Sequence, residues 1–356
     1  MEAAKVGLLG LGTVGGGTAT VLLRNADEIQ RRVGRSIEIT HAAGLGIADQ
    51  TLLDSSKVKL TEDAFEVVND PDIDIVVELI GGYTLAKDLV LKAIENGKHV
   101  VTANKALIAT HGPEIMQAAM AKGVNVAYEA AVAGGIPIIK AVREGLAANR
   151  IHWIAGIING TGNFILTEMR DKGREFEDVL KEAQALGYAE ADPTFDVEGI
   201  DAAHKLTILA SIAFGIPLQF SKVYTEGVRQ LKTQDVLDAA DLGFRIKHLG
   251  IARQTGRGVE LRVHPTLIPE RRLIANVDGV MNAVLVMDNE FRNYQAQPTE
   301  DDRIQLGPAQ VVLLTKAFGG LFTGVDVVSS RNEAGPDTDL VIIPSVREVQ
   351  LSPLLH

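Results

Sequence analysis

The stretch Lys5-Val-Gly-Leu-Leu-Gly-Leu-Gly-Thr-Val-Gly15 decides the fold of the first part of this 356-residue chain. Residues 5–9 are an apolar run with the length of a buried strand, and a helical pattern follows at 16–25. The glycines between them have the G-x-G-x-x-G spacing of a dinucleotide-binding turn. Such a turn lets the backbone approach a pyrophosphate, whose charge lies on amides at the helix N-terminus. A glycine-rich strand–helix turn that binds nothing is the alternative.

Strands and helices alternate in the residues that follow. Apolar runs of strand length lie at 37–43, 73–79, 98–102 and 124–128, and helical patterns lie at 84–96 and 113–122. This alternation predicts an α/β fold, a Rossmann-type doubly wound parallel sheet. Ligands of such sheets bind outside the carboxyl ends of the strands. Lys105 falls at that edge, where it is a catalytic group, a phosphate counter-charge or a solvated loop residue.

The end of the second predicted strand leaves the choice of nucleotide open. An NAD site usually has an acid there for the ribose, and an NADP site has a nearby arginine. The strand instead ends at Gly44-Leu-Gly46, and Asp49 follows several residues later. The sequence therefore predicts NADP or NAD as the cofactor.

A second informative stretch is Glu198-Gly-Ile-Asp-Ala-Ala-His-Lys-Leu-Thr-Ile-Leu-Ala-Ser-Ile-Ala-Phe214. It has the pattern of a helix that is apolar nearly all round, which is typical of a buried helix. Asp201 and Lys205 are four residues apart and share one face of it. Since isolated buried charges are costly, the two form either a structural ion pair or a polar site within a core.

Composition limits the class of protein. The net charge of -11 and the lack of a basic run argue against a nucleic-acid partner, and the absence of cysteine excludes disulfides and thiolate sites. No signal peptide precedes the first strand, and the longest nearly apolar run, 206–218, is too short to span a bilayer. We expect a soluble, cytoplasmic protein with a small-molecule substrate and no membrane partner.

The length of the chain favours two domains. The strand pattern at 151–158, the helical pattern at 175–185 and the alternating runs at 245–253 and 259–264 are typical of an α+β domain with antiparallel strands. We expect a Rossmann dinucleotide-binding domain at 1–135, an α+β catalytic and dimerisation domain at 136–287, and an atypical segment at 288–356. The last segment is a candidate for return to the nucleotide domain.

The stretch Glu129-Ala-Ala-Val-Ala-Gly-Gly-Ile-Pro137 is apolar, glycine-rich and carries one acid. A carboxylate together with unpaired carbonyl oxygens suits a hard cation. An ordinary turn that uses Glu129 as a capping acceptor is the alternative.

The polar residues suit the oxidation of an alcohol by a nicotinamide cofactor. That reaction needs a proton acceptor, a positive field for the developing alkoxide and groups that orient the substrate. Lys205 and Lys105 can supply the first two, because burial or a neighbouring cation makes a lysine an effective base. Glu190 and Asp201 can hold a cationic part of the substrate, such as an α-amino group.

Many motifs of the chain occur in the order of one known family. They are Gly10-Leu-Gly-Thr-Val-Gly15, Glu78-Leu-Ile-Gly-Gly82, Val101-Thr-Ala-Asn-Lys-Ala-Leu-Ile108, Tyr128-Glu-Ala-Ala-Val-Ala-Gly-Gly-Ile-Pro137, Asn159-Gly-Thr-Gly-Asn163, Leu186-Gly-Tyr-Ala-Glu-Ala-Asp-Pro193, Asp201-Ala-Ala-His-Lys-Leu206, His264-Pro-Thr-Leu-Ile-Pro269 and Gly279-Val-Met-Asn-Ala283. Through them the chain resembles homoserine dehydrogenase over roughly residues 1–287. The resemblance implies reversible NAD(P)-dependent oxidation of L-homoserine to L-aspartate 4-semialdehyde, in the biosynthesis of threonine, methionine and isoleucine. It also implies a homodimer or homotetramer.

The resemblance implies a role for each matched residue. Lys205 is implied as the catalytic proton donor, with Lys105 as its partner at the cofactor. Glu190 and Asp201 are implied as homoserine ligands. The implied cofactor-binding residues are Gly10, Gly12, Thr13, Val14, Gly15, Lys105 and Gly187. The implied site for a monovalent cation, usually sodium, consists of Glu129 and the carbonyls of Val132, Gly134 and Ile136.

The sequence departs from the family in two places. The second strand lacks the usual Arg-Asp-like element, and the Gly-Ala-Gly turn with the following Pro-Thr-Ala-Ser is missing after Asn282-Ala-Val. The chain reads Met287-Asp-Asn-Glu-Phe-Arg-Asn-Tyr-Gln-Ala-Gln-Pro298 there. The regulatory ACT domain of longer members is not recognisable either, so threonine feedback through it is not expected. A second hypothesis is therefore a nucleotide-binding homologue with impaired catalysis, and a third is a dehydrogenase of another small amino-alcohol.

Overall fold

The computed structural model describes residues 2–45 and 53–288 and, beyond them, the backbone of three strands within 309–343. The chain forms two compact units, one that comprises Met1–Ala131 and one that begins at Val132. They are called unit 1 and unit 2 below. Asp49 and the departure from the family pattern at 289–298 lie outside the described residues.

The described part of unit 1 is a parallel sheet of six strands with helices. The strands are β1 (Ala4–Leu9), β2 (Ile37–Ala43), β3 (Lys59–Thr61), β4 (Ile75–Glu78), β5 (His99–Thr102) and β6 (Val126–Ala127). The helices are α1 (Thr13–Arg24), α2 (Ala26–Val33), α3 (Ala64–Asn69), α4 (Thr84–Glu95) and α5 (Lys105–Lys122). The strand order β3-β2-β1-β4-β5-β6 confirms the predicted doubly wound α/β sheet.

The core of unit 1 explains why its strands are almost continuously apolar. Both faces of a parallel sheet are covered, so neighbouring strand residues are buried on opposite faces. Leu8 and Leu9 of β1 are both fully buried, in two different apolar clusters. Leu89 of α4 and Ile115 of α5 are fully buried in the same cluster as Leu9.

Helix α5 corrects one prediction. The sequence placed Lys105 in a turn and the start of the helix near Pro113, whereas the structure has α5 begin at Lys105 with Pro113 inside it. Proline removes one internal hydrogen bond from a helix. The Asn104 side chain compensates at the N-terminus, because its Oδ1 accepts the backbone N–H of Leu107 at 3.0 Å. Burial of Leu107 and Ile108 in the core also favours the longer helix.

Unit 2 is built on a mixed sheet. Its strands are β7 (Ile151–Ile157), β8 (Tyr224–Thr225), β9 (Phe244–Thr255), β10 (Gly258–Pro269), β11 (Met281–Asp288), β12 (Ala309–Lys316), β13 (Asp326–Arg331) and β14 (Thr338–Ile343). Its helices are α6 (Ile138–Lys140), α7 (Gly160–Lys172), α8 (Phe176–Ala185), α9 (Thr194–Val197), α10 (Ile200–Phe214) and α11 (Thr233–Asp241). The strand order is β13-β14-β12-β11-β7-β9-β10-β8. The predicted antiparallel pair is present as β9 and β10, which pair from Thr255↔Gly258 to Phe244↔Pro269.

Helix α10 is buried, as its composition predicts. Ala203, Leu206 and Leu209 are at most 1% exposed, and even Asp201 is only 5% exposed. In the parts of the chain that the structure describes, we find no helix with the length and apolar character needed to cross a membrane.

Candidate active site

The glycine turn between β1 and α1 has the geometry that its sequence predicts. Gly10 has φ +91°, a left-handed conformation that favours glycine. A Cβ on Gly10 would lie 2.7 Å from the carbonyl oxygen of Leu79. A Cβ on Gly15 would lie only 1.9 Å from the carbonyl oxygen of Gly10. Both positions therefore require glycine for the turn to form.

Gly12 is glycine for a different reason. It is the N-cap residue of α1, has φ -69° and ψ -160°, and a Cβ on it would meet no atom within 4 Å. The next two residues, Thr13 and Val14, are exposed in the first turn of α1, where backbone N–H groups have no acceptor within the helix. Such N–H groups suit a pyrophosphate, and the missing side chain of Gly12 leaves free space beside them. The residues present therefore fit a dinucleotide.

A buried carboxylate orders the same edge of the sheet. Glu78, the last residue of β4, is fully buried. It accepts the backbone N–H of Ile80 and of Gly81, each at 2.9 Å. It also accepts the hydroxyl of Thr102, its register partner at the end of β5, at 2.6 Å. Glu78 thereby fixes the turn that follows β4. We did not assign it a role from the sequence, although an acid at the end of an apolar strand and before Gly81-Gly82 is a usable signal.

The contacts of Glu78 continue to Lys105. The hydroxyl oxygen of Thr102 accepts the backbone N–H of Asn104 at 2.9 Å, and Asn104 Nδ2 donates to the carbonyl of Gly82 at 2.7 Å. Lys105, which is half-buried, is the next residue and begins α5. Its backbone is thus placed by a continuous set of hydrogen bonds at the carboxyl end of β5.

Asp201 and Lys205 of α10 lie on one face of the helix, as their spacing predicts, and form an ion pair. Lys205 Nζ donates to Asp201 Oδ2 at 2.7 Å and to the carbonyl of Ile158 at 2.7 Å. The side chain of Asp201 is only 7% exposed and that of Lys205 only 17%. Because two of the three ammonium donors have fixed acceptors, the position of Nζ is well defined. The ammonium therefore lies beside the end of β7, which Ile158 follows.

Two side chains that we did not assign from the sequence complete this cluster. Asn159 Nδ2 donates to Asp196 Oδ1 at 2.8 Å and to Asp201 Oδ2 at 3.0 Å. Asn159 Oδ1 accepts the backbone N–H of Gly162 at 2.8 Å, as the N-cap of α7. The motif Asn159-Gly-Thr-Gly-Asn163 thus forms the capped start of α7. The contacts to the two aspartates span 37 and 42 positions, so no local pattern could reveal them.

A buried histidine packs behind the N-terminus of α10. Gly199, the N-cap residue with φ +79°, would place a Cβ 2.9 Å from His248 Cε1. His248 Nε2 donates to the carbonyl of Glu226 at 2.8 Å. Burial lowers the pKa of His248, and the bond to the Glu226 carbonyl opposes that shift only in part. The imidazole is therefore neutral at pH 7 and adds no charge behind the Asp201–Lys205 pair.

Gly187 and Glu190 lie in the loop between α8 and α9. Gly187 has φ +74°, and the Glu190 side chain is exposed. The backbone carbonyl of Glu190 accepts a hydrogen bond from Gln184 Nε2 at 3.0 Å. The hydroxyl of Thr161 donates to the carbonyl of Tyr188 at 2.6 Å, which ties this loop to the first turn of α7.

The residues implied as cation ligands follow β6. Glu129 begins a short 3₁₀ helix at the end of unit 1, and Val132, Gly134 and Ile136 belong to the first residues of unit 2. Val132 and Ile136 are buried, and the Ile136 carbonyl accepts the backbone N–H of Ile138 at 2.8 Å. A carbonyl oxygen has a second lone pair. Carboxylate and carbonyl oxygens are the ligand types that hard cations prefer.

Family models match both parts of the chain. The model described as homoserine dehydrogenase, NAD binding domain, matches residues 10–129, and the model described as homoserine dehydrogenase matches residues 137–300.

Individual relatives agree with these matches. The homoserine dehydrogenase of Pseudomonas aeruginosa is 71% identical over 286 residues, which cover 80% of this chain and 65% of that protein. That of Neisseria gonorrhoeae is 62% identical and covers 80% and 66%, respectively. The chain thus spans just under two thirds of the length of these relatives. The crystal structure of a homoserine dehydrogenase from Thiobacillus denitrificans superposes with a TM-score of 0.79 at 68% identity, over 81% of this chain and 67% of that one.

Proposed function

This chain belongs to the homoserine dehydrogenase family, and from that premise we propose that it oxidises L-homoserine reversibly to L-aspartate 4-semialdehyde with NAD(P). The reaction serves the biosynthesis of threonine, methionine and isoleucine. The observation that carries the proposal is the pair on buried helix α10, in which Lys205 Nζ lies 2.7 Å from Asp201 Oδ2. Such a pair supplies a proton donor of fixed position in a protein that also has a dinucleotide turn.

The proposed chemistry assigns one role to each polar group. The bound nicotinamide supplies the hydride acceptor for C4 of homoserine. In the reductive direction the Lys205 ammonium donates a proton to the carbonyl oxygen as it becomes a hydroxyl, and in the oxidative direction the amine takes that proton back. Lys105 assists with positive charge for the developing alkoxide. Glu190 and Asp201 hold the α-ammonium group of homoserine and orient its hydroxyl.

The proposed nucleotide site is at the carboxyl edge of the unit 1 sheet. Its residues are Gly10, Gly12, Thr13, Val14, Gly15, Lys105 and, from the loop after α8, Gly187. The open space at Gly12 supports the backbone part of this proposal. Gly44 and Leu45, the described residues that directly follow β2, provide neither the acid of an NAD site nor the arginine of an NADP site. We therefore propose NADP or NAD as the cofactor.

Two further parts of the proposal concern a cation and assembly. We propose that the Glu129 carboxylate and the carbonyls of Val132, Gly134 and Ile136 bind a monovalent cation, sodium by family resemblance. We also propose that unit 2 is the catalytic and dimerisation domain of a homodimer or homotetramer. Leu267 of β10, which is 59% exposed, is an apolar side chain suited to such an interface. Sodium dependence of turnover and sedimentation of the purified chain test these two parts separately.

The substrate assay tests the main proposal. The purified chain is mixed with homoserine, serine, threonine and 4-hydroxybutyrate, each with NAD and with NADP, and the absorbance of the reduced nicotinamide is followed. We expect homoserine to be turned over far better than its analogues. Nucleotide binding without turnover of homoserine would favour the second hypothesis, an impaired homologue. The comparisons give that hypothesis no support, because the relatives described above are named as the enzyme.

A further inference from the structure

We propose that the side-chain amide of Asn159 is a positioning group that holds Asp196, Asp201 and Lys205 in one fixed arrangement for proton transfer. The proposal rests on the proposed function, because it concerns the same proton donor. In the proposed site Asn159 itself contacts neither the substrate nor the cofactor. It acts through the two carboxylates that its amide joins.

The surroundings of Asn159 determine how its amide is oriented. The residue is 7% exposed, and its neighbours are one backbone N–H, from Gly162, and two carboxylate oxygens, from Asp196 and Asp201. The N–H can only donate and ionised carboxylates can only accept. Asn159 Oδ1 must therefore face Gly162, and both hydrogens of Nδ2 must face the aspartates. These three hydrogen bonds fix the plane of the amide.

The amide of Asn159 lies between two negative charges. Two carboxylate oxygens lie within 3.0 Å of the same nitrogen, so Asp196 and Asp201 repel each other at short range. A donor between them favours the ionised form of both. Lys205 adds the positive charge at 2.7 Å from Asp201, and the buried His248 behind the cluster is neutral. Without the amide, Asp201 would keep Lys205 as a donor but lose the donor that also binds Asp196, and the arrangement of the three charged groups would be less fixed.

The residues that bind Lys205 and Asp201 are neighbours in the chain. Ile158 accepts from Lys205 Nζ at 2.7 Å through its carbonyl, and the next residue, Asn159, binds Asp201. Asn159 also caps α7, so its position is fixed by a helix and by the end of a central strand. Groups placed by rigid elements hold a catalytic geometry more accurately than groups placed by loops.

The test separates the capping role of Asn159 from its role as a donor. Asn159→Ser keeps a good N-cap acceptor for α7 but removes both donors to the aspartates. Asn159→Asp keeps the shape and the acceptor, and it places a third carboxylate in the cluster. Asn163→Ser is the matched control, because Asn163 is a buried asparagine of the same helix whose Nδ2 donates to the carbonyls of Val277 and Gly279, both at 2.9 Å.

Four quantities are measured for each variant. They are kcat and KM for homoserine, the Kd of NADPH, and the midpoint of the Asp201 carboxyl titration followed by ¹³C NMR. For Asn159→Ser we expect kcat/KM to fall about 10- to 100-fold, as for the loss of hydrogen bonds to charged groups, with an unchanged Kd. We expect Asp201 to titrate at higher pH than in the wild type, and at higher pH still in Asn159→Asp. Asn163→Ser should lower the stability of the protein but leave the midpoint of the Asp201 titration at its wild-type value.

The outcomes distinguish this inference from the proposed function. A folded Asn159→Ser variant with the kcat/KM and the Asp201 titration of the wild type would overturn the inference. An equal shift of the Asp201 titration midpoint in Asn163→Ser would also overturn it, because the shift would then follow from a general destabilisation of α7. If the wild type does not oxidise homoserine, the proposed function fails. The titration of Asp201 in the three variants decides the role of Asn159 even then.

Discussion

Replacement of Gly12 by alanine should separate nucleotide binding from folding. A Cβ on Gly12 meets no atom within 4 Å, and the backbone angles, φ -69° and ψ -160°, are accessible to alanine. Alanine is a poorer N-cap residue than glycine, by about 0.5–1 kcal/mol. The variant should therefore fold with nearly the stability of the wild type.

The effect of Gly12→Ala on binding should be much larger. In the proposed nucleotide site, the added methyl group would take up the free space at Gly12 next to the N–H groups of Thr13 and Val14, which are the proposed donors to the pyrophosphate. A hydrogen bond to a charged group contributes about 1.5–3 kcal/mol. Loss of one such bond should raise the Kd of NADPH about 10- to 100-fold, and loss of two should raise it further.

A fluorescence titration of NADPH measures this change, and urea unfolding followed by circular dichroism measures stability. Gly15→Ala is the matched control, because its Cβ would lie 1.9 Å from the Gly10 carbonyl oxygen and must distort the turn. It should lose both binding and stability. If Gly12→Ala binds NADPH as tightly as the wild type, the pyrophosphate does not lie at this turn.

Further predictions concern stability. Glu78→Leu removes the acceptor of two part-buried backbone N–H groups, those of Ile80 and Gly81, and should lower the free energy of unfolding in urea by about 1–3 kcal/mol. Glu78→Gln keeps an acceptor and should cost clearly less, so equal losses would contradict the assignment. The Lys247 side chain is 1% exposed, and its Nζ lies 2.8 Å from Asp278 Oδ1. Lys247→Met should lower the free energy of unfolding by about 2–4 kcal/mol in the same titration, a limited loss because Asp278 stays partly hydrated. An unchanged free energy of unfolding would show that the pair is dispensable. Because burial lowers the pKa of His248 from 6.5, the unfolded state binds more protons below that pH, and stability present above pH 6.5 is lost as the pH falls toward the folded-state pKa. His248→Leu should remove a dependence of the unfolding free energy on pH of up to about 1.4 kcal/mol per pH unit. If Tm depends on pH equally in both proteins, His248 does not contribute to the pH dependence of stability.

The features that the sequence predicted correctly depend on short-range geometry. The turn at Gly10–Gly15 follows from the chain itself, because the close contact between Gly15 and the Gly10 carbonyl joins residues five positions apart. The pair of Asp201 and Lys205 follows from the helical repeat, which places residues four apart on one face. Alternation of strands and helices was enough to predict the parallel sheet.

The features that the sequence did not predict depend on contacts between distant residues. Thr102 reaches Glu78 only because β4 and β5 pair in that register. Asn159 reaches Asp196 and Asp201 only when α9 and α10 pack beside the end of β7. The predicted start of α5 was wrong because Pro113 is a strong local signal for a helix start. The Asn104 cap and the burial of Leu107, which favour the earlier start, depend on the folded core.

Whether Lys205 transfers the proton is tested by the kcat of Lys205→Ala with homoserine, measured beside its Kd for NADPH. We expect kcat to fall about 10²- to 10⁴-fold. NADPH should bind as in the wild type, because Lys205 lies in unit 2 on α10, away from the glycine turn in sequence. A kcat within about threefold of the wild-type value would show that Lys205 is not the proton donor, since loss of the general acid lowers the rate far more than that.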